Sequence, residues 1–117
     1  MPKGPFLWFV AVLSSAMPSV AANGENLFHQ LDEPALRLAR QTVQDALEHK
    51  QKGAPTYWSV PGVARGAVIP LRTWRSKSGH WCRSFEENLQ LADGRRHTGK
   101  SIRCRSDDGR WKITGDQ

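Results

Sequence analysis

Between Asp32 and Pro55 the apolar side chains return every three or four residues, and beyond Pro55 they return every two. Leu36, Ala39, Val43 and Leu47 set the first rhythm and Ala35 and Ala46 widen it, while Arg37, Arg40, Gln44, Asp45 and Glu48 take the remaining surface. That stripe predicts an amphipathic helix packed on a sheet rather than lying on a membrane. Asp32 is its cap, with Glu33 and Pro34 in the first turn, where a carboxylate suits the dipole and a missing amide hydrogen costs little. His49, Lys50 and Lys52 suit its negative end, Gly53 offers a left-handed cap, and Pro55 prevents continuation.

The remaining chain alternates in short runs broken by turn residues, so helix precedes strands and the class is α+β. Thr56 to Val60 is a short strand and Pro61-Gly62 a turn. Gly66 to Arg75 is a longer strand with Ala67, Ile69 and Leu71 on one face and Arg72 and Trp74 on the other; Pro70 places it at an edge or at a bulge. His80 to Leu91 is the third, with Trp81, Phe85, Leu89 and Leu91 on one side and Cys82, Ser84, Glu86 and Asn88 on the other. Arg96 to Arg105 returns along it, and Arg110 to Thr114 is a last short strand. The expected architecture is one N-terminal amphipathic helix packed on a four- to five-stranded antiparallel β-meander.

The turn Leu91-Ala92-Asp93-Gly94-Arg95 fixes the register of the central hairpin. If Ala92, Asp93 and Gly94 form a three-residue loop with Gly94 left-handed, Cys82 faces Cys104, Glu86 faces Lys100 and Asn88 faces Thr98. Arg83 then meets Arg103, a mildly unfavourable pair. A disulfide between Cys82 and Cys104 follows if the chain reaches an oxidising compartment. Residues 1–22 predict that it does: Lys3 and the terminal amine precede the apolar run Phe6 to Ala16, and Val20-Ala21-Ala22 forms a small-residue cleavage site. The run of about 11 residues is too short to span a bilayer. Cleavage near Ala22 leaves 23–31 as an irregular lead-in and 32–117 as one small domain, periplasmic or at the outer membrane or cell surface. Nothing later in the chain is apolar enough to cross a membrane.

The chain carries 17 basic and 11 acidic residues, net +6, and loss of Lys3 with the leader makes it +5. In an exported protein such charge favours anionic glycolipid, acidic polysaccharide or an envelope protein over nucleic acid. Arg72, Trp74, Arg75, Arg83, Arg103, Arg105 and Arg110 are the candidate binding residues, expected at the end of the meander that the cysteines clamp. Guanidinium groups there would pair with phosphate or carboxylate, and tryptophan would stack on sugar rings. Trp81 and Trp111 are expected in the core and Trp74 at the surface.

Catalysis finds little support. Glu86 and Glu87 are adjacent on a strand and point to opposite faces, unlike the facing carboxylates of a glycosidase. His29, His49, His80 and His97 show no metal-ligand spacing, and no serine or cysteine has a recognisable nucleophile setting. The expectation is a non-enzymatic binding module without metal or cofactor; the alternative is a periplasmic protein inhibitor or folding helper that inserts the loop Arg75 to Gly79.

The ordered set of motifs resembles a known family. Pro55-Thr56-Tyr57-Trp58-Ser59, Gly66-Ala67-Val68-Ile69-Pro70, Trp81-Cys82-Arg83-Ser84-Phe85, Arg103-Cys104-Arg105 and Asp108-Gly109-Arg110-Trp111-Lys112-Ile113 together resemble the C-terminal domain of the rickettsial 17-kDa surface antigen family. The resemblance covers roughly residues 36–114. It implies a bacterial envelope protein and carries over no catalytic residues. The family's lipoprotein cysteine and glycine-rich segment have no counterpart in this sequence, which points to a free periplasmic or secreted form.

Overall fold

A computed structural model describes residues 26–117. The expected leader over 1–22 and the first three residues of the lead-in lie outside them. The rest of the lead-in is ordered, not irregular: Leu27–Gln30 form one 3-10 turn, capped by the Asn26 side chain accepting from Phe28 N. Leu27 and Leu31 drive it, since both are buried under the first half of the helix.

The helix, α1, runs Glu33–His49, and Asp32 Oδ1 accepts from Ala35 N at 3.1 Å. Ala35, Ala39, Val43, Ala46 and Leu47 are buried, as the stripe requires. The C-terminus departs from expectation. Lys50 closes the helix in an extended conformation, and Gly53, at φ +81°, serves the following turn, where its N–H donates to Pro70 O. The helix carbonyls there find a side-chain donor instead, described below.

Five strands follow, β1 Thr56–Val60, β2 Ala64–Arg75, β3 Trp81–Leu91, β4 Arg96–Arg105 and β5 Trp111–Lys112. They pair antiparallel in the order β1-β2-β3-β4-β5, a meander with one helix laid on it. The three-residue loop sets the β3–β4 register as expected: Cys82 faces Cys104, Glu86 faces Lys100, Asn88 faces Thr98, and Gly94 is left-handed at φ +95°. Cys82 and Cys104 are joined by a disulfide.

The second strand is internal, and Pro70 marks a bulge between Pro70 and Arg72. One extra residue reverses the alternation. Before it, Ala67 and Ile69 pair with Asn88 and Glu86; after it, Arg72 and Trp74 pair with Ser84 and Cys82. All eight belong to the sheet face away from α1, so Arg72 and Trp74 share a face with Ala67 and Ile69 rather than opposing them.

The helix-facing side holds the core in two clusters. Leu27, Ala35, Ala39, Trp58, Leu89 and Leu91 pack under the first half of α1; Val43, Ala46, Leu47, Val68, Phe85 and Trp111 pack under the second. Each large side chain so buried contributes about 1.5–3 kcal/mol relative to exposure. Trp58 lies over Gly66, where a Cβ would stand 2.5 Å from both Trp58 Nε1 and Asn88 O. Only glycine lets that indole reach the sheet. Gln44 pins the short last strand, accepting from Trp111 N and donating to Trp111 O, each at 2.8 Å.

Candidate functional site

The seven candidate residues do not form one patch: the fold divides six of them among four settings and leaves Arg110 exposed just before β5. Arg83, which alternation places on the helix-facing side of β3, is only 8% exposed. Its Nη1 donates to Leu47 O and Lys50 O, each at 2.8 Å, and its Nε to Thr73 Oγ1 at 2.9 Å. Burial pulls its pKa down, yet it stays cationic and caps the orphan carbonyls at the C-terminus of α1. Its Nε and Nη1 are spent inside the domain, although its side chain still borders the depression described next.

Arg72 and Arg75 flank two tryptophans on opposite faces of the sheet. The Arg72 guanidinium stands 4.8 Å from the Trp74 ring centroid, and Arg75 stands 4.4 Å from that of Trp81. Trp81 is not core: it is 46% exposed, whereas Trp111 is 5% exposed as expected. Glu48, Thr73, Trp81, Arg83, Arg105 and Trp111 line a shallow depression of about 300 Å³ beside the end of α1. Glu48 fixes Arg105 there, its carboxylate accepting from Arg105 Nε and Trp111 Nε1 at 2.9 Å each. Those two bonds, Arg105 first, hold the Glu48 carboxyl below its usual pKa.

Arg103 occupies the fourth setting, a cleft of about 470 Å³ between α1 and the sheet. Glu87 lines the same cleft, and burial raises its pKa although Arg103 counteracts the shift. Desolvation lowers that of Arg103, the charge of Glu87 opposes the shift, and the like charges of Arg40 and Arg110 add to it. Glu87 belonged to no sequence-derived site. Its parity with Phe85 and Leu89 is the signal that places it on the inner face.

A further cluster lies where the C-terminal residues cross the disulfide. The Asp116 carboxylate accepts from Ser76 Oγ at 2.9 Å, from Ser78 Oγ, and from His80 Nδ1 at 3.3 Å; His80 Nε2 reaches Asp107 Oδ1 at 3.2 Å. Trp74 Nε1 donates to Gln117 O. The Asp116 carbonyl oxygen rests 2.9 Å from Cys104 Sγ. Serine, histidine and aspartate meet here, but in the wrong sense for a nucleophile: the Ser78 hydroxyl donates its hydrogen bond to Asp116, and two carboxylates raise the His80 pKa. A histidine so placed holds a proton instead of taking one.

Because the folded pKa of His80 is raised, the stability it contributes is complete below the unfolded value of about 6.5. It is lost as pH rises through the higher folded value. A proton NMR titration of His80 should therefore show its midpoint move down in Asp107→Asn, the leading cause of the shift. An unmoved midpoint would remove Asp107 as that cause.

The comparisons bear on this combination of helix, bulged meander and clamp. The 17 kDa surface antigen of Rickettsia conorii is 32% identical over 84 residues, and that of Rickettsia prowazekii 31% over 83 residues. Over that stretch the chain is similar to the rickettsial 17 kDa surface antigen family. The match to the Rickettsia conorii surface antigen takes in 71% of this chain, and the chain spans about half the length of the curated surface antigens it matches. No family model matches the sequence, and no solved structure matches at a significant level. Among the described residues no helix is long and apolar enough to cross a membrane, and no group of three or more histidine, cysteine or acidic side chains could hold a metal ion.

Proposed function

We propose that this is an exported, non-enzymatic domain of the bacterial envelope, in the periplasm or at the outer membrane or cell surface, that binds an anionic envelope component such as a glycolipid or acidic polysaccharide. The observation that carries the reading is Arg75 stacked on the exposed ring of Trp81 beside Arg105. A tryptophan left open at the rim of a small core, with guanidinium groups around it, offers a stacking face for a sugar ring and donors for phosphate or carboxylate. The net positive charge, +5 once Lys3 is lost with the expected leader, adds long-range attraction to such a surface. The name of the related antigens supports a surface setting.

The alternative, a periplasmic inhibitor or folding helper that inserts the loop Arg75 to Gly79, is less well served. Ser76 N donates to His80 O, Gly79 N to Ser76 O and Arg75 Nη1 to Gly79 O, so the segment is a tight turn tied back to its own strand.

The test is co-sedimentation of the full chain with vesicles containing lipopolysaccharide, at low and high salt. Binding should weaken steeply as salt screens the surface charge, and Trp81→Ala should lower affinity about tenfold, about 1.4 kcal/mol. No binding at low salt, or equal binding to vesicles of a neutral lipid, would overturn the reading.

A further inference from the structure

The cleft between α1 and the sheet has a feature that the exposed Arg–Trp surface lacks. It holds two opposite charges, Glu87 and Arg103, that attract one another through space but share no hydrogen bond. Arg103 Nε is buried and has no hydrogen-bond partner among the described residues. The Glu87 carboxylate, half-buried on the neighbouring strand, likewise takes no hydrogen bond or ion pair from them. Burial opposes the charge of both groups. Leaving a buried donor such as Arg103 Nε without a partner is costly, and a native fold commonly meets that cost with water or a bound ligand.

The lining indicates what kind of ligand fits. Phe28, Leu36, Ala39 and Val43 give one wall an apolar surface, and Arg40 adds a second guanidinium. Glu87 faces Gly99 across the β3–β4 ladder, and Arg103 lies four residues further along that strand, a rise of about 13 Å before the side chains lean into the space between. That offset favours a ligand whose opposite charges stand apart over one whose charges share a carbon, and the volume of about 470 Å³, in the usual range for small-ligand sites, admits a short peptide.

We propose that the cleft binds a short apolar peptide by its two free ends, the ammonium on Glu87 and the carboxylate on Arg103 and Arg40, with apolar side chains against α1 and Phe28. The site is separate from the Arg75–Trp81 surface and stands whether or not that surface binds an anion.

The probe is dileucine, added to the full chain and followed by NMR, beside N-acetyl-dileucine and dileucine amide. Dileucine should shift the signals of Phe28, Val43 and the Arg103 guanidinium, and capping either end should weaken binding about tenfold or more, as expected for loss of a charge-assisted hydrogen bond. In Glu87→Gln the free and acetylated peptides should bind alike. If that variant does not fold, the capped peptides on the unmodified chain still decide. Equal binding of all three peptides, or no shift at these residues, would overturn the proposal.

Discussion

Arg83→Met should destabilise the domain by about 3 kcal/mol, read as a fall in the urea midpoint at unchanged slope. Methionine fills much of the volume but leaves Leu47 O and Lys50 O without the donor that now serves both at 2.8 Å, and frees Thr73 Oγ1 as well. A buried acceptor stripped of its partner costs about 1–3 kcal/mol, and two carbonyls are exposed to that loss. Arg83→Lys should recover only part. An ammonium is a point charge on a flexible stem and cannot span three acceptors as a planar fork does. The two variants therefore separate charge from geometry. If both lie within about 0.5 kcal/mol of the parent, the range of ordinary surface substitutions, Arg83 is not the cap described.

Breaking the Cys82–Cys104 bond should have an effect of similar size by a different route. The bridge closes a 22-residue separation, and restricting the unfolded chain over such a loop is worth about 3 kcal/mol. Cys82→Ala/Cys104→Ala should lower the urea midpoint accordingly, and the unmodified chain should show the same fall once fully reduced. Reduction should itself be slow under native conditions, because Cys82 is 0% and Cys104 4% exposed beneath the Asp116 segment. A midpoint indifferent to reductant would mean that the loop is already held closed by the β3–β4 ladder in the unfolded ensemble.

The parts of the fold legible in the sequence were those set by local chemistry. Asp32 announces the start of α1, and the loop around Gly94 fixes the register that brings the cysteines together. The errors arose where distant contacts decide. Alternation correctly grouped Trp81 with Phe85 and Leu89, but could not say that the core ends before the end of the strand, leaving Trp81 beside the last turn of α1 with Arg75 for cover. Pro70 announced a bulge, but not that the extra residue would carry Arg72 and Trp74 to the other face. Arginines look alike in a sequence. Which one caps a helix, which stacks on a ring and which lines a cleft depends on where α1 lies across the sheet, a relation between residues more than 30 positions apart.

The strictly sequential order of the strands bears on how the chain reaches this structure. Every strand pairs with the one made just before it, and no crossover has to be threaded. Closing such short loops costs little entropy, so the sheet should assemble quickly, one hairpin after another in the order of synthesis. The helix is the exception. It is completed before any of the five strands described, yet Gln44 and Glu48 find Trp111 and Arg105 only when nearly the whole chain is present. The helix can thus lay most of its apolar stripe on β1–β3 once Leu91 has been made, while its last turn waits for Arg105 and Trp111 to close over it.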